Sequence, residues 1–179
     1  LAVPKPTPSD PNRTHFVFNP GATRLPETAA PNTKNRSHAI SATIEMPDGG
    51  GEGVILAAGG SSAGFALYVK DGHLVYHYNW FDEYRPQVGS SKPLPPGTSA
   101  VRMEFAYAGE HGELGKGGTA TLFIGNAEVG SVEIDRTVAA RFGIDTFGVG
   151  EDSGSPVSTE YAPPFRFTGH IDEVIVDLQ

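Results

Sequence analysis

The sequence predicts an all-β fold, an antiparallel β-sandwich preceded by an extended arm. Three observations predict it. Short apolar/polar alternations of period 2 recur along most of the chain, with turn residues at intervals of roughly 8–12 residues. Glycine (23) and proline (15) are abundant among the 179 residues and fall between those segments. No stretch shows a helical period of comparable strength; Thr137–Arg141 reads at most as one helical turn.

The elements follow in order. Residues 1–36 contain seven prolines (Pro4, Pro6, Pro8, Pro11, Pro20, Pro26 and Pro31) and read as a linker that becomes a wrapping arm. Within it, His15-Phe16-Val17-Phe18 is a strand-like island whose two phenylalanines share a side and dock on the body. Residues 37–179 read as the sandwich. Ile40, Ala42, Ile44 and Met46 alternate with Ser41, Thr43 and Glu45, giving a strand with one buried face. Val54–Ala58 is a fully apolar strand closed by Gly59-Gly60. Phe65–Lys70 and His73–Trp80 meet across Asp71-Gly72, a pair suited to a type I′ turn because both central residues need φ > 0. Val101, Met103, Phe105 and Tyr107 mark another half-buried strand. The stretch 109–118 reads as a Gly- and charge-rich loop, including Gly115–Thr119 as a hairpin turn. Thr119–Ile124 and Ala127–Ile134 form a second hairpin around Gly125-Asn126. A short strand within 143–150, a long polar loop over 153–164 and a last strand over 171–178 complete the chain.

Composition excludes several function classes. Formal net charge is −8, with five Lys/Arg against three Asp/Glu in residues 1–45 and eight against eighteen in residues 46–179. Such a body repels phosphate backbones, so no nucleic-acid partner is expected. No apolar run approaches the ~18 residues that span a bilayer, so no membrane partner is expected. The absence of cysteine removes disulfides, thiolate metal sites and thiol nucleophiles. The start, Leu1 to Pro8, is neither a signal peptide nor an initiator methionine, and reads as the start of a trimmed or processed piece.

Candidate sites are few. Two carboxylates ~5–9.5 Å apart would suit glycoside hydrolysis. The nearest pair on one face, Glu173 and Asp177, lies ~13 Å apart at strand rise, so no catalytic residue is assigned. The turn around Gly150-Glu151-Asp152-Ser153-Gly154 offers carboxylates and free carbonyls, with Asp172 as a further ligand; Glu151, Asp152 and Asp172 are the candidates for a structural Ca²⁺. The same Asp-Ser-Gly text is equally an Asx turn that needs no ion. His73 and His77 share a face but stand too far apart to bind one metal. For sugar stacking, Leu74, Tyr76, Tyr78 and Trp80 fall on one strand face, which a sandwich core also wants; Trp80–Arg85 leaves the strand and is the better place for an exposed patch. Trp80, Tyr84 and Tyr78 are the candidate carbohydrate contacts.

Several segments together, DPNRTHFVFNPGATRLPE (10–27), KNRSHAI (34–40), EGVILAAGG (52–60), LYVKDG (67–72), LGKGGTATLFI (114–124), VGEDSGSPV (149–157) and PFRFTGHIDEVIVDL (164–178), resemble the C-terminal extension of large bacterial formylglycine-dependent arylsulfatases. The resemblance runs over essentially the whole chain. It implies a concanavalin A-like or laminin G-like jelly roll following a sulfatase catalytic domain of the same polypeptide. It also implies a non-catalytic accessory role: packing on that domain, shaping substrate access or mediating homo-oligomer assembly. The family's catalytic motif, Cys or Ser followed by x-Pro-x-Arg, is matched by letter only at Ser9-Asp10-Pro11-Asn12-Arg13, in the arm rather than in an upstream α/β domain. Formylglycine and the catalytic Ca²⁺ would therefore belong to the parent enzyme, and this chain alone is expected to be inactive. The alternative is a lectin-like module recognising sulfated glycans. The resemblance implies a bacterial protein and leaves the compartment open between cytoplasm and periplasm or secretion.

Overall fold

In the computed structural model, residues 12–110 and 112–179 are described. Residues 1–11, which include most of the Ser9–Arg13 text, and His111 lie outside the described residues. The chain folds as two stacked sheets. One has the order β1 (His15–Phe18), β13 (His170–Leu178), β2 (His38–Met46), β7 (Gly97–Tyr107), β8 (Lys116–Ile124), β9 (Ala127–Arg136), all antiparallel. The other has the order β11 (Glu151–Asp152), β12 (Phe165–Arg166), β3 (Gly53–Gly59), β4 (Gly64–Lys70), β5 (His73–Asn79), β6 (Gln87–Gly89), with β10 (Phe147–Val149) also on β3. Its pairs are antiparallel except for a one-residue parallel contact of β12 with β3. The one helical element among the described residues is a 3-10 turn at Glu27–Ala29. No helix among them is long and apolar enough to cross a membrane.

The alternating residues point where the period requires. Ile40, Ala42, Ile44 and Met46 of β2 face Leu67, Val69, Leu74, Tyr76 and Tyr78 of the other sheet within one core. Phe16 and Phe18 of β1 pack on its edge, with the Phe18 ring 4.9 Å from that of Phe147. Asp71 and Gly72 have φ of 50° and 76°, as the tight hairpin demands. The segment 19–33 wraps the end of the sandwich: Leu25 exchanges backbone hydrogen bonds with Phe147, and Pro31 and Thr33 are buried.

Three expectations need correction. Residues 137–141 form no helical turn; Val138 is buried and the Thr137 hydroxyl donates to the Lys116 carbonyl, which holds the segment irregular. Lys116–Gly118 belongs to β8 rather than to a turn. A Cβ on Gly117 would stand 1.9 Å from the Ile134 carbonyl oxygen, so glycine here permits a close crossing of β9. The 153–164 segment is a cover rather than a solvated polar loop. Val157 and Tyr161 join Val54, Ala57, Ala66, Tyr68 and Val75 in a second apolar layer outside the shorter-stranded sheet. That cover explains why every residue of β3 is buried: one face meets the core and the other meets the loop.

Candidate functional site

One end of the sandwich gathers four connections: 60–63 between β3 and β4, 80–86 between β5 and β6, 137–146, and 153–164. Asn79, the last residue of β5, locks two of them. It is fully buried; its Nδ2 donates to the carbonyls of Gly60 and Ser61, each at 2.9 Å, and its Oδ1 accepts from the Asp82 N–H at 2.9 Å. Ser155 joins the others. Its hydroxyl accepts from the Ser61 N–H at 2.9 Å and donates to Asp145 Oδ2 at 2.6 Å. Arg85 bridges to the cover, donating to the Val157 carbonyl at 2.8 Å and to Asp82 Oδ1 at 2.8 Å. Satisfied buried polar groups of this kind hold loops in one arrangement.

The aromatic residues sit on that base. Trp80 and Tyr84 pair through backbone bonds of 2.8 and 3.2 Å, closing a tight turn. Inside the turn, Phe81 and Asp82 adopt φ of 52° and 64°, a left-handed conformation unfavourable for L side chains and therefore imposed by its surroundings. The Arg136 guanidinium carbon lies 4.1 Å from the Trp80 ring centre, and Tyr84 Oη accepts from the Asp135 N–H at 3.2 Å. Trp80 and Tyr84 thus clasp β9 of the opposite sheet. Phe81 is turned outward, 48% exposed, with its ring edge-on to Trp80 at 5.1 Å. In the 137–146 connection Ile144 is 99% exposed, beside the anchored Asp145.

Of the three residues named from sequence for sugar contact, Trp80 and Tyr84 come together here and Tyr78 does not. Tyr78 is a core residue, 5% exposed, and its hydroxyl accepts from the Val138 N–H at 2.8 Å. Inward alternation along β5 carries it into the core with Leu74 and Tyr76. Phe81 lies within the Trp80–Arg85 stretch expected to be exposed, but is not among the residues named as sugar contacts. Strand parity gives no signal for it, because Phe81 lies beyond β5 in a left-handed turn and the residues of its parity, Val75, His77 and Asn79, are buried.

The three candidate metal ligands do not converge. Glu151 and Asp152 are neighbours on β11, so they point to opposite faces. Glu151 pairs with Arg166 Nε at 2.7 Å. Asp152 is buried and accepts from the Tyr161 hydroxyl at 2.7 Å and the Val157 N–H at 3.2 Å, anchoring the cover loop; burial raises its carboxyl pKa. Asp172 is exposed at the β13 bulge, 3.2 Å from His170. Among the described residues, no three His, Asp or Glu stand together in a group that could hold a metal ion.

Under the cover lies a second polar cluster. The Tyr68 hydroxyl donates to Glu160 at 2.6 Å, Gln87 donates to the other Glu160 oxygen at 3.0 Å, and His77 Nδ1 lies 2.9 Å from Gln87 Oε1. The Tyr68 bond lowers the Glu160 pKa and burial lowers that of His77. The Tyr68 and Gln87 bonds to Glu160 fasten the cover to the sheet, while His77 Nε2 is buried without a partner.

No family model and no curated protein sequence matches the chain. Solved structures do. Domains LG4-5 of the mouse laminin α1 chain superpose with a TM-score of 0.60 at 14% identity, over 93% of this chain and 40% of that one. The CBM40 of the Ruminococcus gnavus IT-sialidase, bound to α2,3-sialyllactose, gives 0.59 at 12% identity, over 93% and 91%. Domain 4 of the Geobacillus stearothermophilus arabinanase AbnA, in complex with arabinotriose, gives 0.51 at 14% identity, over 82% and 62%. The chain therefore has the jelly-roll sandwich fold of laminin G-like and concanavalin A-like domains.

Proposed function

We propose that this chain is a non-catalytic carbohydrate-binding module of a larger enzyme, an arylsulfatase by its sequence resemblance. The observation that carries the binding role is Phe81: an aromatic ring held in solvent on an imposed left-handed backbone, beside the Asp82–Arg85 pair. A sugar ring stacks on an aromatic face, and neighbouring carboxylate and guanidinium groups meet its hydroxyls. The loop carboxylates are already committed: Glu151 to Arg166, Asp152 to Tyr161, Glu160 to Tyr68, Asp145 to Ser155. They hold loops together, which suits binding more than bond breaking. Sialyllactose and arabinotriose in the neighbours of like fold support a glycan as ligand. The test is a glycan array with the purified chain. Binding that Phe81→Ala abolishes, at unchanged melting temperature, supports the reading; an array without hits overturns it.

A second reading is docking on the catalytic domain of the same polypeptide. It is favoured by β1, which joins the sheet as an edge strand along β13 and seats Phe16 and Phe18 on the core. On this reading the isolated chain folds, shows no turnover of 4-nitrophenyl sulfate, and binds the separately expressed catalytic domain.

A further inference from the structure

The outer face of the longer-stranded sheet carries a cleft of about 120 Å³ across β13, β2, β7 and the β8–β9 turn. Strand register places its lining in two rows. One runs Ile175, Ser41, Arg102, with Phe123 next in line; the other runs Glu173, Thr43, Ala100. Small residues, Ala100 and Gly125, leave the floor open, while Arg102 and Glu173 form opposite walls. Arg102 and Glu173 stand two strand spacings apart and one row out of line, a diagonal of roughly 12 Å, room for a sugar ring with its substituents.

Arg102 is prepared for a ligand. Its guanidinium carbon lies 4.3 Å over the Phe123 ring, which fixes the plane. Glu104 Oε1 stands 2.7 Å from Nε and forms an ion pair with it, which helps fix the side chain. Arg102 lines the cleft and Glu104 does not. The two Nη groups of a guanidinium can bind carboxylate or sulfate oxygens through parallel bonds.

We propose that this cleft is a second binding site, separate from the loop end, for a sugar bearing one oxyanion, a carboxylate or a sulfate ester. The oxyanion takes the Arg102 donors, and the sugar hydroxyls meet Thr43, Ser41 and Glu173. The excess of acidic residues in the body works against polyanions, so the site selects a singly charged unit rather than a long sulfated chain.

The experiment is NMR titration of the whole chain with galactose 6-sulfate, glucuronate, galactose and inorganic sulfate. One or both charged sugars should shift the amides of Ser41, Thr43, Ala100 and Gly125, and which of them does so identifies the oxyanion. Galactose and sulfate should bind at least tenfold more weakly. Arg102→Ala should abolish the shifts, and Arg102→Lys, which keeps the charge without the fork, should weaken binding severalfold; Phe81→Ala should leave them unchanged. Absence of shifts with both charged sugars, equal binding of galactose or of sulfate alone, or retained binding in folded Arg102→Ala would each overturn the site without touching the loop-end reading.

Discussion

Arg136, at the end of β9, stacks its guanidinium on Trp80, just past the end of β5, with 4.1 Å between the guanidinium carbon and the ring centre, and so joins the two sheets at the loop-bearing end. The Tyr84 hydroxyl adds a bond to the same strand, accepting from the Asp135 N–H. Trp80→Ala should lower stability by about 2–3 kcal/mol, through lost packing and lost cation–π attraction. Arg136→Ala should cost about 1 kcal/mol. Phe81→Ala, at an outward position, should change stability by less than about 0.5 kcal/mol. Urea denaturation of the three variants measures this order; an equal loss for Phe81 and Trp80 would show that the clasp is misassigned.

Asn79 is the polar keystone of the same end. Asn79→Ala leaves the carbonyls of Gly60 and Ser61 and the Asp82 N–H without their partner. The expected loss is about 2–4 kcal/mol. Hydrogen exchange at Asp82 should accelerate by more than the global destabilisation explains, because the 80–86 connection loses its tether. Unchanged protection there would refute the tether.

His38 makes the fold sensitive to acid. It is buried between Phe65 and Phe105, its Nδ1 lies 3.2 Å from the Arg36 carbonyl, and its Nε2 has no partner. Burial lowers its pKa from 6.5 to about 4. A histidine with a depressed folded pKa contributes stability that is complete above pH 6.5 and is lost as pH falls through about 4. The loss over that window is about 3 kcal/mol. His38→Phe keeps a ring and removes the titration, so its stability should fall less steeply between pH 6.5 and 4. Parallel curves for variant and wild type would contradict the assignment.

Gly117 should tolerate no side chain. The contact a Cβ would make is with the Ile134 backbone, which cannot rotate away. Gly117→Ala should cost at least about 2 kcal/mol and lower the melting temperature, while Gly125→Ala, whose Cβ would meet nothing, should cost only the strain of its φ of 59°. A milder effect at 117 than at 125 would argue against the close crossing.

The two-layer fold was legible in the chain because period-2 alternation is a local property. Ile40, Ala42, Ile44 and Met46 face one way whatever lies opposite, and Asp71-Gly72 forces a tight turn with no tertiary help. The outer layer was not legible. Val157 and Tyr161 sit in a segment rich in Ser, Thr and Pro, and nothing local says that it returns to cover Tyr68 and Val75. The candidate site was half legible: departure of Trp80–Arg85 from its strand marks exposure, but the roles within it depend on Arg136, more than fifty residues away in sequence.

By itself, then, the sequence determined which faces of the strands are apolar, where the chain turns, and that thiol chemistry is absent. The tertiary structure alone decided which aromatic is exposed, that Glu151, Asp152 and Asp172 never meet, and that Arg102 stands over an open cleft. The physical reason is range: periodicity and turn geometry act within a few residues, whereas burial, ion pairing and convergence of ligands depend on which distant strands are brought side by side.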